Sequence, residues 1–241
     1  MLRFERFLRG GGKMEREIFY KYLQDRYKVN TAAREGAKSV PRMIAKELLT
    51  TLSAPIAKRK ASKLVASGER LRLHLGCGTI YIPNWINIDL ARPGRKQDLD
   101  WDLRKGLPFP PNSVEAIFSE HTLEHMALPD TFRLLTECHR VLEPDGVFRV
   151  SVPDLALQIT EYGDWKTGFD SDPMRPLTPG LAVNEMFYFH GHRTMYDYET
   201  MRLLLLSAGF NHVERVSFGV SAINPCPDSG RPNSLIVEAR R

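Results

Sequence analysis

The sequence predicts an α/β protein: a doubly wound, mostly parallel sheet that ends in an antiparallel hairpin and is preceded by a helical extension. Three observations predict it. From Leu71 onward, short apolar runs alternate with helical patterns, the rhythm of βαβ units. The first run, Leu71–Leu75, ends in Gly76-Cys77-Gly78, at the place where such a sheet opens a ligand crevice. Near the end, Val213–Phe218 and Ser234–Ala239 are strand-like runs close enough to pair antiparallel.

The elements follow in order. Residues 14–27 place Ile18, Tyr22 and Leu23 on one helical face. Met43, Ile44, Leu48, Leu49 and Leu52 predict a second amphipathic helix, entered after Pro41 and closed before Pro55. Lys58-Arg59-Lys60 leads to Ser67-Gly68, which sets the boundary between a basic helical extension (1–68) and the α/β domain (69–241). Inside the domain, further strands are predicted at Trp85–Ile88 ending in Asp89, near Asp98–Trp101, at Val114–Phe118 and at Val147–Val152. A Pro144-Asp145-Gly146 turn enters the last of these. Asp130–Leu142 is the helix before that turn, with Phe132, Leu135 and Cys138 or His139 near one stripe. After a Pro- and Gly-rich stretch (172–180), Tyr198–Ala208 is a helix ended by Gly209.

Composition excludes some classes. No apolar run approaches the roughly 18 residues that a membrane span needs. Arg3, Glu5, Arg6 and Arg9 break up any secretory-signal core. Cys77, Cys138 and Cys226 show no metal spacing and cannot all pair, which predicts a reducing, cytoplasmic setting. The net charge of +5 is uneven: residues 1–64 hold 16 Lys/Arg against 6 Asp/Glu, and the remainder 18 against 23. The basic arm therefore suits peripheral contact with an anionic membrane, a nucleic acid, the acidic face of a partner subunit in a homodimer, or packing on its own domain.

A strand that ends in G-x-G lets backbone approach a ligand, and an acid closing the next strand is placed for ribose hydroxyls. Gly76, Gly78 and Asp89 fit those roles. The third glycine and the acid about 20 residues on that a dinucleotide fingerprint wants are missing, which disfavours NAD.

The longer run Leu73-His74-Leu75-Gly76-Cys77-Gly78-Thr79 resembles the first motif of class I methyltransferases, whose domain is Rossmann-like. Asn87-Ile88-Asp89 looks like their ribose-binding acid, and Asp102-Leu103 before Leu107-Pro108-Phe109 like their adenine segment. Ser119-Glu120-His121-Thr122-Leu123-Glu124-His125 resembles the motif after the fourth strand. Leu142-Glu143-Pro144-Asp145-Gly146 resembles the turn before the fifth, and Ala208-Gly209-Phe210 the entry to the final hairpin. The resemblance implies S-adenosyl-L-methionine as cofactor, bound by Leu75, Gly76, Cys77, Gly78, Asp89, Asp102, Leu103 and Ser119. Two departures stand out: His74 takes a position commonly acidic, and the interval from Gly78 to Asp89 is short. The shortened form, with Trp85-Ile86-Asn87-Ile88-Asp89, resembles a type 11-like branch associated with polysaccharide and glycan modification.

That branch implies O-methylation of a sugar or glycan hydroxyl; a quinone-like or other lipophilic acceptor and a non-catalytic cofactor-binding module are the alternatives. Nucleic acid is not an expected partner, because Ser119-Glu120-His121 lacks the N-P-P-Y-type motif of base methyltransferases. An alcohol acceptor benefits from a base or a metal. If a helix follows the fourth strand, His121, Glu124 and His125 share one face at i, i+3, i+4. This placement resembles the metal site of ubiquinone-pathway O-methyltransferases and implies a divalent ion such as Mg²⁺. His190-Gly191-His192, with Tyr196 and Asp197 beyond, and Asp154 after strand five face the same crevice by topology. His121 or His190 is the expected base and Asp154 an orienting carboxylate. Trp101, Trp165, Phe187, Tyr188 and Phe189 are candidates for an acceptor pocket or for core.

Overall fold

Seven runs become strands: β1 Arg72–Leu75, β2 Ile86–Asp89, β3 Leu99–Asp100, β4 Val114–Glu120, β5 Leu142–Pro153, β6 His212–Arg215 and β7 Ser234–Arg240. They form one sheet in the order β3-β2-β1-β4-β5-β7-β6. The first five are parallel, and β7 runs antiparallel to both β5 and β6. This is the expected α/β sheet with a C-terminal antiparallel pair. The helices are α1 Ser39–Ala66, α2 Leu128–Val141, α3 Leu155–Gly163, α4 Pro179–Tyr188 and α5 Tyr198–Ser207. The computed structural model describes residues 39–91, 94–163, 178–188 and 190–241; the helix expected at 14–27 lies outside them. The chain divides into two units, residues 46–156 with 192–241, which hold the sheet, and residues 1–45 with 157–191, which hold α4 and most of α3. No helix among the described residues is long and apolar enough to cross a membrane.

Two local expectations change. α1 does not close before Pro55 but runs through it to Ala66. A proline there lacks the N–H that would bond the Thr51 carbonyl, and Thr51 is exposed. Beyond the proline, Ala57 and Ala61 are buried in the core. The Pro144-Asp145-Gly146 turn lies within β5 as an outward loop: the register steps from Val114↔Leu142 to Ala116↔Val147, with Asp145 in left-handed backbone (φ 63°).

Strand register sorts side chains onto two faces, because successive residues alternate across a sheet. Leu73, Ile117, Phe148 and Ala239 stand in one rung. With Leu75, Val150 and Val237 they form an apolar face, all fully buried. α2 sets Leu134, Leu135, Cys138 and Val141 into this core and α5 sets Met201 and Leu205. The α2 stripe differs from the expected one in that Phe132 is exposed.

The next rung over is polar: His74, Phe118, Arg149 and Glu238 share it. Ile82 and Trp85 from the short β1–β2 connection, and Ile223 from the β6–β7 connection, cover this face around Phe118. The short connection is held by one amide. Asn87 Nδ2 donates to the carbonyls of Ile82 and Trp85 at 3.0 and 2.9 Å, while Asn87 Oδ1 accepts from Ile82 N at 2.9 Å. That leaves Oδ1 facing His74 Nδ1 at 3.0 Å, so Nδ1 carries the imidazole proton. His74 also stacks on Phe118, with ring centroids 5.3 Å apart.

Arg149 ties down the β6–β7 connection. Its guanidinium, fully buried, donates to Asp228 Oδ1 at 2.6 Å, Glu238 Oε1 at 2.7 Å and the Val220 carbonyl at 2.9 Å. Burial alone would raise the Asp228 carboxyl, but the hydrogen bonds and charge of Arg149 outweigh it and hold it below its usual range.

Two predictions follow from this polar face. Removing one partner of a buried ion cluster strands the others, so Arg149→Met will lose about 3–5 kcal/mol in urea unfolding. Burial holds the His74 imidazole below its ordinary value of 6.5, against the opposing hydrogen bond to Asn87 and the charges of Glu120 and Asp89. The unfolded chain therefore binds that proton first. The His74 contribution is complete above pH 6.5 and is lost as pH falls toward the folded value. The urea midpoint will drop from pH 7 to 5.5, and His74→Gln will flatten that drop.

Candidate functional site

Strand order reverses between β1 and β4, which makes the crevice at their C-terminal ends the default ligand site. β1 leaves the sheet at Leu75 into Gly76 and Gly78, both in left-handed backbone (φ 68° and 58°). Gly76 N donates to the Ile88 carbonyl at 2.8 Å, and Gly78 N to Asp89 Oδ2 at 2.9 Å. Asp89 Oδ1 accepts from Leu90 N at 2.6 Å. A Cβ on Gly76 would fall on the Thr122 side chain. Thr122 Oγ1 in turn faces the carbonyls of Leu75, Gly76 and Glu120 at 3.3, 3.4 and 3.2 Å.

The structure brings Leu75, Gly76, Cys77, Gly78, Asp89 and Ser119 together at this turn. Cys77 is buried, which pushes its thiol up to about 12, so it lines the turn as a neutral group. Ser119 is the register partner of Leu75; it is fully buried, and its hydroxyl has no hydrogen-bond partner among the described residues. Asp102 caps the 3₁₀ turn Leu103–Lys105 and pairs with Arg104 at 2.9 Å. Burial would raise the Asp102 carboxyl, but Arg104 outweighs it and keeps it ionised. Trp101 is core, donating from Nε1 to the Gly106 carbonyl at 2.6 Å.

The segment after β4 is not the helix assumed for His121, Glu124 and His125. His121 has φ 49°, and Leu123–His125 is a single 3₁₀ turn. Glu124 is therefore fully buried while His125 next to it is exposed. His121 is held at both ring nitrogens, with Nε2 2.8 Å from Ser234 Oγ and Nδ1 3.3 Å from Glu124 Oε1. Neither oxygen of Glu124 accepts a hydrogen bond among the described residues.

A distant segment completes the cluster. Arg193 N and Thr194 N both donate to the Glu124 carbonyl, at 2.7 and 3.2 Å. Thr194 Oγ1 donates to the Met126 carbonyl at 3.3 Å. This strap brings His192 Nε2 to 4.0 Å from Glu124 Oε1 and stacks its ring edge-on against His125, with centroids 5.0 Å apart. The set whose donor atoms all lie within 4.8 Å of one another is Glu124, His125 and His192. His121, expected as the third member, lies outside it.

The other expected residues are committed elsewhere. Asp154 is buried, accepts from Ala156 N at 3.0 Å at the start of α3, and pairs with Arg215 at 2.7 Å. Tyr196 is core, its hydroxyl 3.1 Å from Thr131 Oγ1. Asp197 caps α5 through Thr200 N at 2.8 Å. His190 and Phe187 are exposed residues of the second unit. Trp165, Phe189 and the Tyr188 side chain lie outside the described residues.

Sequence reasoning missed three residues. Arg149, a lone charge in an apolar run, was a readable signal of buried pairing. Asn87 and Thr122 stood inside recognisable motifs, but nothing there signalled the contacts their side chains make.

Residues 77–150 match the family described as Methyltransferase domain (Methyltransf_11); the match runs from the turn after β1 into β5. The chain is 30% identical over 116 residues to the mitochondrial arginine-hydroxylase NDUFAF5 of Rattus norvegicus, covering 40% of this chain and 33% of that protein. It is 36% identical over 101 residues to a probable S-adenosylmethionine-dependent methyltransferase of Mycolicibacterium smegmatis, covering 34% and 37%. The chain thus spans about a third of the length of these curated relatives. A solved SAM-dependent methyltransferase from Archaeoglobus fulgidus is similar over 90% of this chain and 100% of its own, at 15% identity and a TM-score of 0.49.

The tight contact at Gly76 makes a prediction. Gly76→Ala adds left-handed strain of about 1–2 kcal/mol and a clash with Thr122. The single variant will melt lower than wild type, and Gly76→Ala/Thr122→Ala will recover the clash but keep the strain.

Proposed function

We propose that this chain is an S-adenosyl-L-methionine-dependent methyltransferase that acts on a hydroxyl of a sugar or glycan intermediate. The observation that carries it is the Gly76-Cys77-Gly78 turn bonded to the Asp89 carboxylate, inside the segment matching a methyltransferase domain. The residues fit the cofactor: Gly78, which has no Cβ and is uncrowded on that side, lets backbone approach a ligand. An acid at the end of β2 is placed for ribose hydroxyls, and Asp102 and Leu103 border the adenine side. When bound, the cofactor supplies an electrophilic methyl group on a sulfonium. The glycan acceptor is supported by the shortened β1–β2 connection and its resemblance to the type 11-like branch.

His121 is the base in this reading. Nδ1 lies 3.3 Å from Glu124 Oε1, so Nε2 is the nitrogen left to take the acceptor proton, relayed by Ser234 Oγ beside it. Glu124 holds the ring and stabilises the imidazolium, as the acid of a triad does. Asp154 acts through Arg215 and the start of α3 as a positioning residue, and His190 is the alternative base. Metal assistance enters through the Glu124 cluster, whose two imidazoles and one carboxylate are poor ligands for Mg²⁺.

The same reading places the chain in the cytoplasm, without a nucleic-acid partner, as a homodimer whose basic arm meets an anionic membrane peripherally. Exposed Leu48, Leu49, Leu52 and Ile56 on α1, close in sequence to Lys58-Arg59-Lys60, support the membrane contact. They also favour a second reading, O-methylation of a lipophilic, quinone-like acceptor.

Calorimetry with S-adenosylhomocysteine, with NAD in parallel, tests the cofactor. Micromolar binding is expected for the first alone, weakened at least about tenfold by Asp89→Ala, a loss of roughly 1.4 kcal/mol. Acceptor panels run with and without anionic liposomes then separate sugars from lipophilic acceptors. With cofactor saturated, His121→Ala will lower turnover about a hundredfold or more and His190→Ala will not. The reverse pattern moves the base to His190. Binding without transfer to any acceptor would make the chain a cofactor-binding module.

A further inference from the structure

We propose that Glu124, His125 and His192 bind one divalent first-row transition-metal ion, and that the site has open coordination positions. Three independent features converge on it.

The first is Glu124 itself. It is fully buried, and neither carboxylate oxygen accepts a hydrogen bond among the described residues. A desolvated carboxylate without hydrogen bonds is costly unless a cation compensates it. The groups around it are imidazoles: His121 Nδ1 at 3.3 Å and His192 Nε2 at 4.0 Å from Oε1, with the donor atoms of Glu124, His125 and His192 all mutually within 4.8 Å. Bonds of about 2.1 Å to nitrogen or oxygen place neighbouring ligand atoms roughly 3–3.5 Å apart. Small side-chain rotations therefore close the set around an ion.

The second feature is the backbone that builds it. Glu124 and His125 are consecutive in one 3₁₀ turn, and the Glu124 carbonyl receives two amides, Arg193 N and Thr194 N. His192, 67 positions beyond His125 in the sequence, is delivered to the carboxylate by this strap. Pre-positioned backbone is what a metal site requires of its scaffold.

The third is the donor set. Two imidazole nitrogens and one carboxylate oxygen suit Zn²⁺, Fe²⁺ or Co²⁺, whereas Mg²⁺ prefers oxygen ligands throughout. Three protein ligands leave at least one position vacant, and His125 is exposed, so that position opens to solvent and to an oxygen ligand such as water or a hydroxyl. His121, anchored on Ser234, orients Glu124 from outside the set, the way an outer partner fixes a ligating carboxylate. The site stands apart from the identity of the acceptor.

The test uses the full chain, stripped with a chelator and titrated with Zn²⁺, Co²⁺ and Mg²⁺ by calorimetry, with Co²⁺ absorption as a coordination readout. One Zn²⁺ or Co²⁺ per chain is expected at sub-micromolar affinity, with no heat from Mg²⁺. Glu124→Gln and His192→Ala will each weaken Zn²⁺ at least a hundredfold and abolish the Co²⁺ visible band. His121→Ala will keep the stoichiometry. S-adenosylhomocysteine binding on the same samples reports folding and the cofactor reading separately, so loss of one does not mimic loss of the other. If the folded wild type takes up no Zn²⁺ or Co²⁺, or if Glu124→Gln and His192→Ala bind as wild type does, the assignment is overturned. Retention in His192→Ala with loss in His121→Ala would overturn it in favour of the His121 set.

Discussion

Two turns meet where the sheet reverses direction, and the space between them is fixed by an atom that is not there. Gly76 has no Cβ, and its backbone lies against the Thr122 side chain, which would occupy the same volume. Thr122 has one hydroxyl proton and three carbonyls around it, so it clasps the end of β1 to the end of β4 without favouring one bond. Everything of chemical interest hangs from this contact. On one side it fixes the turn whose amide holds Asp89. On the other it starts the 3₁₀ turn that buries Glu124 and turns His125 outward. Close packing transmits such constraints with little slack, which couples the glycine turn and the histidine cluster.

The sheet supporting that corner has two unlike faces. One is a conventional apolar core against α2, α5 and the second half of α1. The other carries a buried charge, Arg149, and its partners Asp228 and Glu238. The short β1–β2 connection works on this face because the Asn87 side chain meets both of its amide ends with protein partners. A well-satisfied polar network specifies a unique arrangement, whereas a half-satisfied one is costly. The Asn87 and Arg149 clusters are of the first kind.

Against that background Glu124 is the exception. Asp89 holds two amides, Asp102 holds Arg104, Glu120 holds Ser229, and Asp154 holds Arg215 and the start of a helix. Each of these carboxylates accepts a hydrogen bond from protein, whereas the most deeply buried one, Glu124, accepts none among the described residues. Local departures from the rules that stabilise a fold concentrate at functional sites. The uncommitted oxygens of Glu124, ringed by His121, His125 and His192, are such a departure.

The sequence by itself determined the sheet and its glycine turn. Alternation, apolar runs and glycine placement are local properties, so Leu73–Gly78, Asn87–Asp89 and the final strand pair could be read directly. It also named Glu124 and His125, because they sit beside each other in one motif. It misjudged the local backbone where tertiary contacts override propensity: Pro55 stays inside a helix, and the run from His121 to His125 bends into a left-handed residue and a 3₁₀ turn. The third imidazole was decided only by the tertiary structure. His121 is near in sequence and keeps Nδ1 beside Glu124, but Ser234 takes its Nε2, while the amides of Arg193 and Thr194 carry His192 to the carboxylate. Arg149 meets Asp228 for the same reason, since the β6–β7 connection folds back over the sheet. Sequence periodicity tells which face a residue occupies. Which distant segment arrives at that face depends on chain topology, and no local pattern encodes it.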